Sequence, residues 1–130
     1  MNERRTPKDA LLVILEQLPV AVVITDPTTG VIAWTNAKNL DLVAAADPAN
    51  LIGRNILEFI QPEQQAVALR DIEAVVRGET PDPVVYHLKR LDGGRADVQI
   101  SSVPMRYENN PAMLSLVFDL TEYLGPLCTD

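Results

Sequence analysis

One cysteine, Cys128, and one histidine, His87, stand in a chain of 130 residues. A lone cysteine forms no intramolecular disulfide, so a reducing compartment is the default. One histidine and one cysteine cannot assemble a four-ligand zinc site, and no metal is expected. No apolar run approaches the ~20 residues needed to span a bilayer. The start, Met1 to Arg5, leads into an amphipathic segment without a small-residue cleavage site. The chain therefore reads as cytoplasmic, with no membrane partner. Basic residues are scarce: 11 Lys and Arg stand against 18 Asp and Glu, a formal net charge of −7. Apart from Arg4-Arg5 they are scattered, whereas phosphate binding needs clustered cations. Nucleic acid is set aside as a direct partner.

Catalytic signatures are missing as well. No GxSxG and no phosphate-cradling GxxxxGK[ST] occurs, and His87 has no evident nucleophile beside it. Gly93-Gly94-Arg95-Ala96-Asp97 is superficially like the GGDEF signature of cyclases, but it reads as a hairpin turn. Neither the phosphoacceptor histidine motif nor the ATP-binding lobe of a sensor kinase is visible. These absences predict a chain that performs no chemistry itself.

What is present is one domain's worth of patterned sequence, 47% hydrophobic and 22% charged. Thr6 and Pro7 open a helix, Leu11, Leu12, Ile14, Leu15 and Leu18 follow at helical spacing, and Pro19 closes it. Val20 to Thr25 is an apolar, β-branched run that predicts a strand covered on both faces. Asp26 to Gly30 supplies a turn, and Val31 to Thr35 the returning strand. Asn36 is placed to cap a short helix from Ala37. Helical hints continue to Asn55, and Pro62 opens a longer helix, with Leu69, Ile72, Val75 and Val76 on one side and Gly78 beyond its end. Three strands follow: Val84–Leu91, Arg95–Met105 and Met113–Leu120. Turns at Asp92-Gly93-Gly94 and Glu108–Pro111 separate them. This order predicts an α+β fold, a five-stranded antiparallel sheet with short helices on one face and an N-terminal amphipathic helix.

The order and its landmarks resemble the PAS family of sensor domains. Four marks carry the resemblance: ITDPTTGVIAWTNA (Ile24–Ala37), LIGRNILEFIQPE (Leu51–Glu63), the DG hairpin followed by VPMR (Val103–Arg106), and FDLTE (Phe118–Glu122). It spans roughly residues 10 to 122. The expected division is an arm and helix over 1–18, a core over 19–122, and a tail or linker over 123–130. Such domains are sensory or regulatory modules of signal-transduction proteins, of the sensor-kinase or transcription-regulator type. Their output is changed association or a reoriented helix.

The family often holds a cofactor between sheet and helices. Gly53-Arg54-Asn55 is similar to the opening of the flavin-binding light-oxygen-voltage motif, in which a cysteine follows and attacks excited flavin. Ile56 stands in that place here, and an alkyl group cannot form the adduct. Cys128, beyond the last strand, is a poor substitute. Haem-binding members use an axial ligand, usually a histidine on the long helix. His87 falls instead on a strand, where alternation sends Val84, Tyr86 and Leu88 inward and His87 and Lys89 outward. Neither haem nor a covalent flavin adduct is expected, and the cofactor, if any, is unknown.

Alternation and the resemblance together place Ile24, Tyr86, Leu88, Val98, Ile100, Ser102, Ser115 and Val117 on the inner wall. Ile56, Ile60, Leu69 and Ile72 would face them from the helices. Two readings stay open: a core packed full by its own side chains, or a cavity for a small, largely apolar ligand. Trp34 fits either one end of that space or the surface.

Leu114, Leu116, Phe118 and Leu120 alternate to the opposite face, where water would demand polar residues. They must be covered, and Leu11, Leu12, Ile14, Leu15 and Leu18 are the obvious cover. Full burial of one such side chain is worth roughly 1.5–3 kcal/mol. Whether that helix lies on its own sheet or on a second copy is open, and the resemblance implies a homodimer through these surfaces. The alternative is a ligand-free dimerisation module. After Asp119-Leu120-Thr121, where many relatives pass into a long signalling helix, Gly125-Pro126 blocks helix continuation. That fits a domain linker or a stand-alone domain.

Overall fold

In the computed structural model the structure describes residues 7–121, with side chains from residue 10 onward. The expected cap at Thr6, the Gly125-Pro126 break and Cys128 lie outside the described residues. Helix α1 (Pro7–Gln17) comes first, then strands β1 (Ala21–Thr25) and β2 (Ile32–Thr35) and helix α2 (Ala37–Val43). Three 3-10 turns, Pro48–Asn50, Ile56–Phe59 and Pro62–Gln64, lead into α3 (Gln65–Val76). Strands β3 (Val84–Lys89), β4 (Arg95–Tyr107) and β5 (Asn110–Asp119) complete the order. The five strands form one antiparallel sheet in the order β2-β1-β5-β4-β3, the expected α+β fold. Among the described residues no helix is long and apolar enough to cross a membrane.

Register fixes which face each strand residue serves. Val117 is opposite Ala21 and Ile100, so these three share the inner face with Val23, Ser115 and Ser102 one pleat further on. The inner core joins Val23, Ile32, Phe59, Ile60, Tyr86, Leu88, Val98 and Val117, under α2, α3 and the 3-10 turns. On the outer face Leu15 of α1 packs on Val22, Ile24 and Ala112, with Leu12, Leu18, Trp34, Leu114 and Leu116 around them. The N-terminal helix therefore lies on its own sheet, and Trp34 sits beneath it.

Two expected positions are corrected. Ile24 faces outward: it is fully buried, but under α1, opposite Leu114. The run Val20–Thr25 is apolar at almost every position, so it carries no alternation from which a face can be read. Leu69 is 45% exposed, and Val76, one heptad on, 54%. The buried stripe of α3 is Ala68, Ile72, Ala74 and Val75, so the inward position before Ile72 belongs to a small residue. The strands also run past the expected turn. Glu108 and Asn109 both have positive φ, and β4 and β5 pair up to Tyr107 and Asn110 around that two-residue turn.

Asn36 joins the two layers. Its side chain is fully buried; Oδ1 accepts from the Asn39 N–H, capping α2, and from the Val22 N–H in β1 (3.1 and 3.0 Å). Its Nδ2 donates to the Leu15 and Val20 carbonyls, each at 2.9 Å. One amide thereby ties the end of α1, the start of β1 and the start of α2. Both sheet edges are occupied too. The 53–55 loop bonds to Ile32 along β2, while Gln64 accepts from His87 N–H and donates to Val85 C=O along β3.

Candidate functional site

Two adjoining chambers lie between the sheet and the helical layer, each with a cavity volume of about 40 Å³. The deeper one is apolar but for Asn39, walled by Val23, Ile32, Leu51, Phe59, Leu88 and Val117 among others. The second opens toward α3 and the Pro81-Asp82 segment and takes its polar groups from Asp71, Asp82, Tyr86 and Ser102. Ile56, Ile60 and Ile100 line both, so three alkyl side chains form the partition.

Local sequence sets each of these groups. Asn55 caps the Ile56–Phe59 turn by accepting from the Leu57 N–H at 2.9 Å, and Glu58 returns a bond to the Asn55 N–H. The cap aims half-buried Ile56 at the sheet. Position 56 is where the light-oxygen-voltage pattern has its reactive cysteine, and here its side chain borders both chambers. Gly30 closes the same corner, since a Cβ there would lie 2.9 Å from Asn55 Oδ1.

Asp71 sits one position before Ile72 on the inward side of α3 and accepts a hydrogen bond from the Tyr86 hydroxyl at 3.2 Å. Burial pushes the Asp71 carboxyl above its ordinary value, only partly offset by that bond and by Arg70. Burial, then the neighbouring carboxylate, pushes the Tyr86 phenol up as well. Deeper in, the Ser102 and Ser115 hydroxyls pair across β4 and β5 at 2.8 Å.

Of the residues singled out from sequence, the structure brings Ile56, Ile60, Ile72, Tyr86, Ile100 and Ser102 to the chamber with the polar groups, and Leu88 and Val117 to the apolar one. Val98 belongs to the inner core without lining either. Ile24 and Leu69 lie elsewhere, as described above. Sequence reasoning missed Asp71, Asp82, Met113 and Ala68. Asp71 precedes Ile72, which the sequence already places on the apolar side of α3, so it borders the buried stripe of Ala68, Ile72, Ala74 and Val75.

His87 points to the opposite face, where its Nδ1 lies 2.7 Å from Asp97 Oδ1 on the neighbouring strand. That bond, with Arg95 alongside, holds the Asp97 carboxyl below its ordinary value. Gly93 and Gly94 stand in the β3–β4 hairpin, where Gly94 N–H donates to Asp92. Among the described residues no cluster of three His, Cys, Asp or Glu is placed to hold a metal ion.

On the outer face α1 covers Leu114 and Leu116 but stops short of Phe118, which is 39% exposed. Leu11 and Ile14 point away from the sheet, Ile14 being 57% exposed, and Leu120 is half-buried. Phe118 pairs with Gln99 and Gln99 with Val85, so exposed Val85 lies in the same row.

Comparison with known proteins places this geometry. A PAS domain family model matches residues 19–122. Sporulation kinase A of Bacillus subtilis is 27% identical over 108 residues, covering 83% of this chain and 18% of that protein. The chain thus spans less than a fifth of that kinase. The PAS domain of an HTR-like protein from Haloarcula marismortui superposes with a TM-score of 0.72 at 19% identity, over 85% of this chain and 88% of that one. A domain of a sensory box sensor histidine kinase/response regulator from Geobacter sulfurreducens gives 0.71 at 14% identity, over 85% and 91%. With the family model spanning most of the sequence and the sheet order, helical layer and interior chambers in place, the chain belongs to the PAS domain family.

Proposed function

We propose that this PAS domain is the non-catalytic sensory part of a cytoplasmic signal-transduction system of the sensor-kinase or transcription-regulator type. It reads the occupancy of the interior between sheet and α3 and transmits it by changed association through its outer face. The observation that carries the reading is the pair of adjoining chambers that share Ile56, Ile60 and Ile100 as lining. Mostly apolar walls with a few polar groups at one end suit a small, largely apolar ligand. Kinship with sporulation kinase A supports an output on a kinase.

The outer face supports a homodimer. Leu11, Ile14, Phe118 and Val85 leave apolar surface on and beside α1, which a second copy of the same face would cover. A ligand binding inside shifts such an association only by its differential affinity for the two states.

The small size of the chambers favours a second reading, a ligand-free dimerisation module whose interior is close to filled. Native mass spectrometry separates the two. A mass excess on the dimer that is lost on denaturation is the outcome expected of a sensor. A clean dimer with no excess leaves the interaction module, and a clean monomer at micromolar concentration removes the dimer from both.

A further inference from the structure

The two chambers are alike in size and unlike in chemistry. The one toward α3 is bordered by Asp71, Asp82, Tyr86 and Ser102, whose oxygens offer water the partners it needs. The deeper one has a single polar side chain in its lining, Asn39; every other wall is an alkyl group or the Phe59 ring. Asn39 is buried, and its Nδ2 already donates to Thr35 Oγ1 at 3.0 Å. A buried water needs about two to four polar partners. Among the lining side chains, the Asn39 carbonyl alone is left to offer one. These walls favour an apolar occupant over water.

Size narrows the class further. One water takes up roughly 10–15 Å³ on this measure, so a chamber of about 40 Å³ suits a molecule of two heavy atoms and excludes a ring. Packed interiors hold few voids larger than a water. An apolar molecule placed in one gives the facing walls dispersion contacts across the gap. Resting on the interior-ligand reading, we propose that the deeper chamber takes an uncharged diatomic gas, with dioxygen as its representative. Entry runs through the neighbouring chamber, past half-buried Ile56, which lines both. Occupancy bears on Ile60, whose backbone bridges to Leu88 of β3 and so ties the helical layer to the sheet.

Dioxygen is paramagnetic and marks its own position by faster relaxation of nearby methyl protons. The test compares methyl relaxation in the full chain under nitrogen and under raised oxygen pressure. Val22 and Ile24 serve as the internal control, fully buried beneath α1 and lining neither chamber. The methyls of Leu51, Leu88 and Val117 are expected to show the larger enhancement. Val23→Ile, which adds a carbon to the chamber wall, is expected to bring them down to the control. Should it fold poorly, Val117→Ile fills the chamber from β5 and is read at Leu51 and Leu88. Equal enhancement of the two sets in the wild-type protein, or an excess that survives a folded filling variant, overturns the gas. A diatomic gas is lost on transfer to vacuum, so relaxation and not mass decides for it. No oxygen excess beside a bound mass in native spectra overturns the gas and leaves the interior-ligand reading standing. Neither an oxygen excess nor a bound mass overturns both.

Discussion

At the scale of single residues, two buried polar side chains make opposite contributions. Asn36 satisfies four backbone groups from three elements. Removing its amide orphans the Val22 and Asn39 N–H groups and the Leu15 and Val20 carbonyls together. Asn36→Ala should therefore cost about 2–4 kcal/mol in urea unfolding, well above an ordinary cap. Thr25 is equally buried, yet among the described residues its hydroxyl has no partner. Thr25→Val removes an unsatisfied group at nearly constant shape and should raise stability by about 1 kcal/mol. Asp71 gives a pH-dependent case. Burial lifts its folded pKa above the ordinary 3.8, so the native state holds the proton more tightly than the unfolded chain. Stability from this group is fullest below 3.8 and is lost as pH rises through the folded value. Asp71→Asn carries no charge to bury, so its urea midpoint relative to wild type should be higher at pH 7 than at pH 3.5. A difference that stays constant between the two would show that burial does not govern this carboxyl.

At the scale of elements, the helical layer depends on a corner of backbone where two glycines differ in kind. Gly30 has φ +80° and also faces Asn55, whose side chain caps the Ile56–Phe59 turn and reaches the Thr29 carbonyl. Gly53 has φ +92° with open space around it. Gly53→Ala should cost only the conformational term, about 1 kcal/mol, and Gly30→Ala about 2 kcal/mol or more, because Asn55 must move as well. Equal losses in thermal unfolding would mean that the Asn55 contact yields freely. Legibility from sequence also divides by element. Strands β3, β4 and β5 alternate, so the sequence alone assigns a face to Tyr86, Leu88, Ile100 and Ser102. Strand β1 is apolar throughout; Ile24 could be placed only by its pairing with Leu114, a non-local fact. Helix α3 misled because size suggested Leu69 where the fold uses Ala68. The Asp71–Tyr86 pair joins residues 15 positions apart on a helix and a strand, and no local pattern announces such a meeting.

For the molecule as a whole, the open question is what meets the outer face. Helix α1 is spent on its own sheet through Leu12, Leu15 and Leu18, which leaves its other side for a partner. Leu11, Val13 and Ile14 on the helix and Val85, Val103 and Phe118 on the strands are among the large apolar groups left exposed there. Single apolar residues are ordinary on a surface, but several large ones on a helix and a neighbouring strand of one face mark a candidate contact surface. In an isologous pair each substitution enters the interface twice, so two charges per chain place four in it. The double variant Ile14→Glu with Phe118→Glu should therefore sediment as a monomer at concentrations where wild type is a dimer. Ile14 is 57% exposed and Phe118 39%, so both are partly packed within the chain, and intrachain stability should fall by about 1 kcal/mol per site. A dimer that survives both charges would move the interface off this face. A monomer whose unfolding, measured below the wild-type dissociation concentration, stays cooperative and within about 2 kcal/mol of wild type would fix the patch as the contact rather than as part of the fold. The same variant separates the two ends of the proposed signal. If interior occupancy acts through association, the monomer should still bind in the chamber and lose only the dependence of its assembly on ligand.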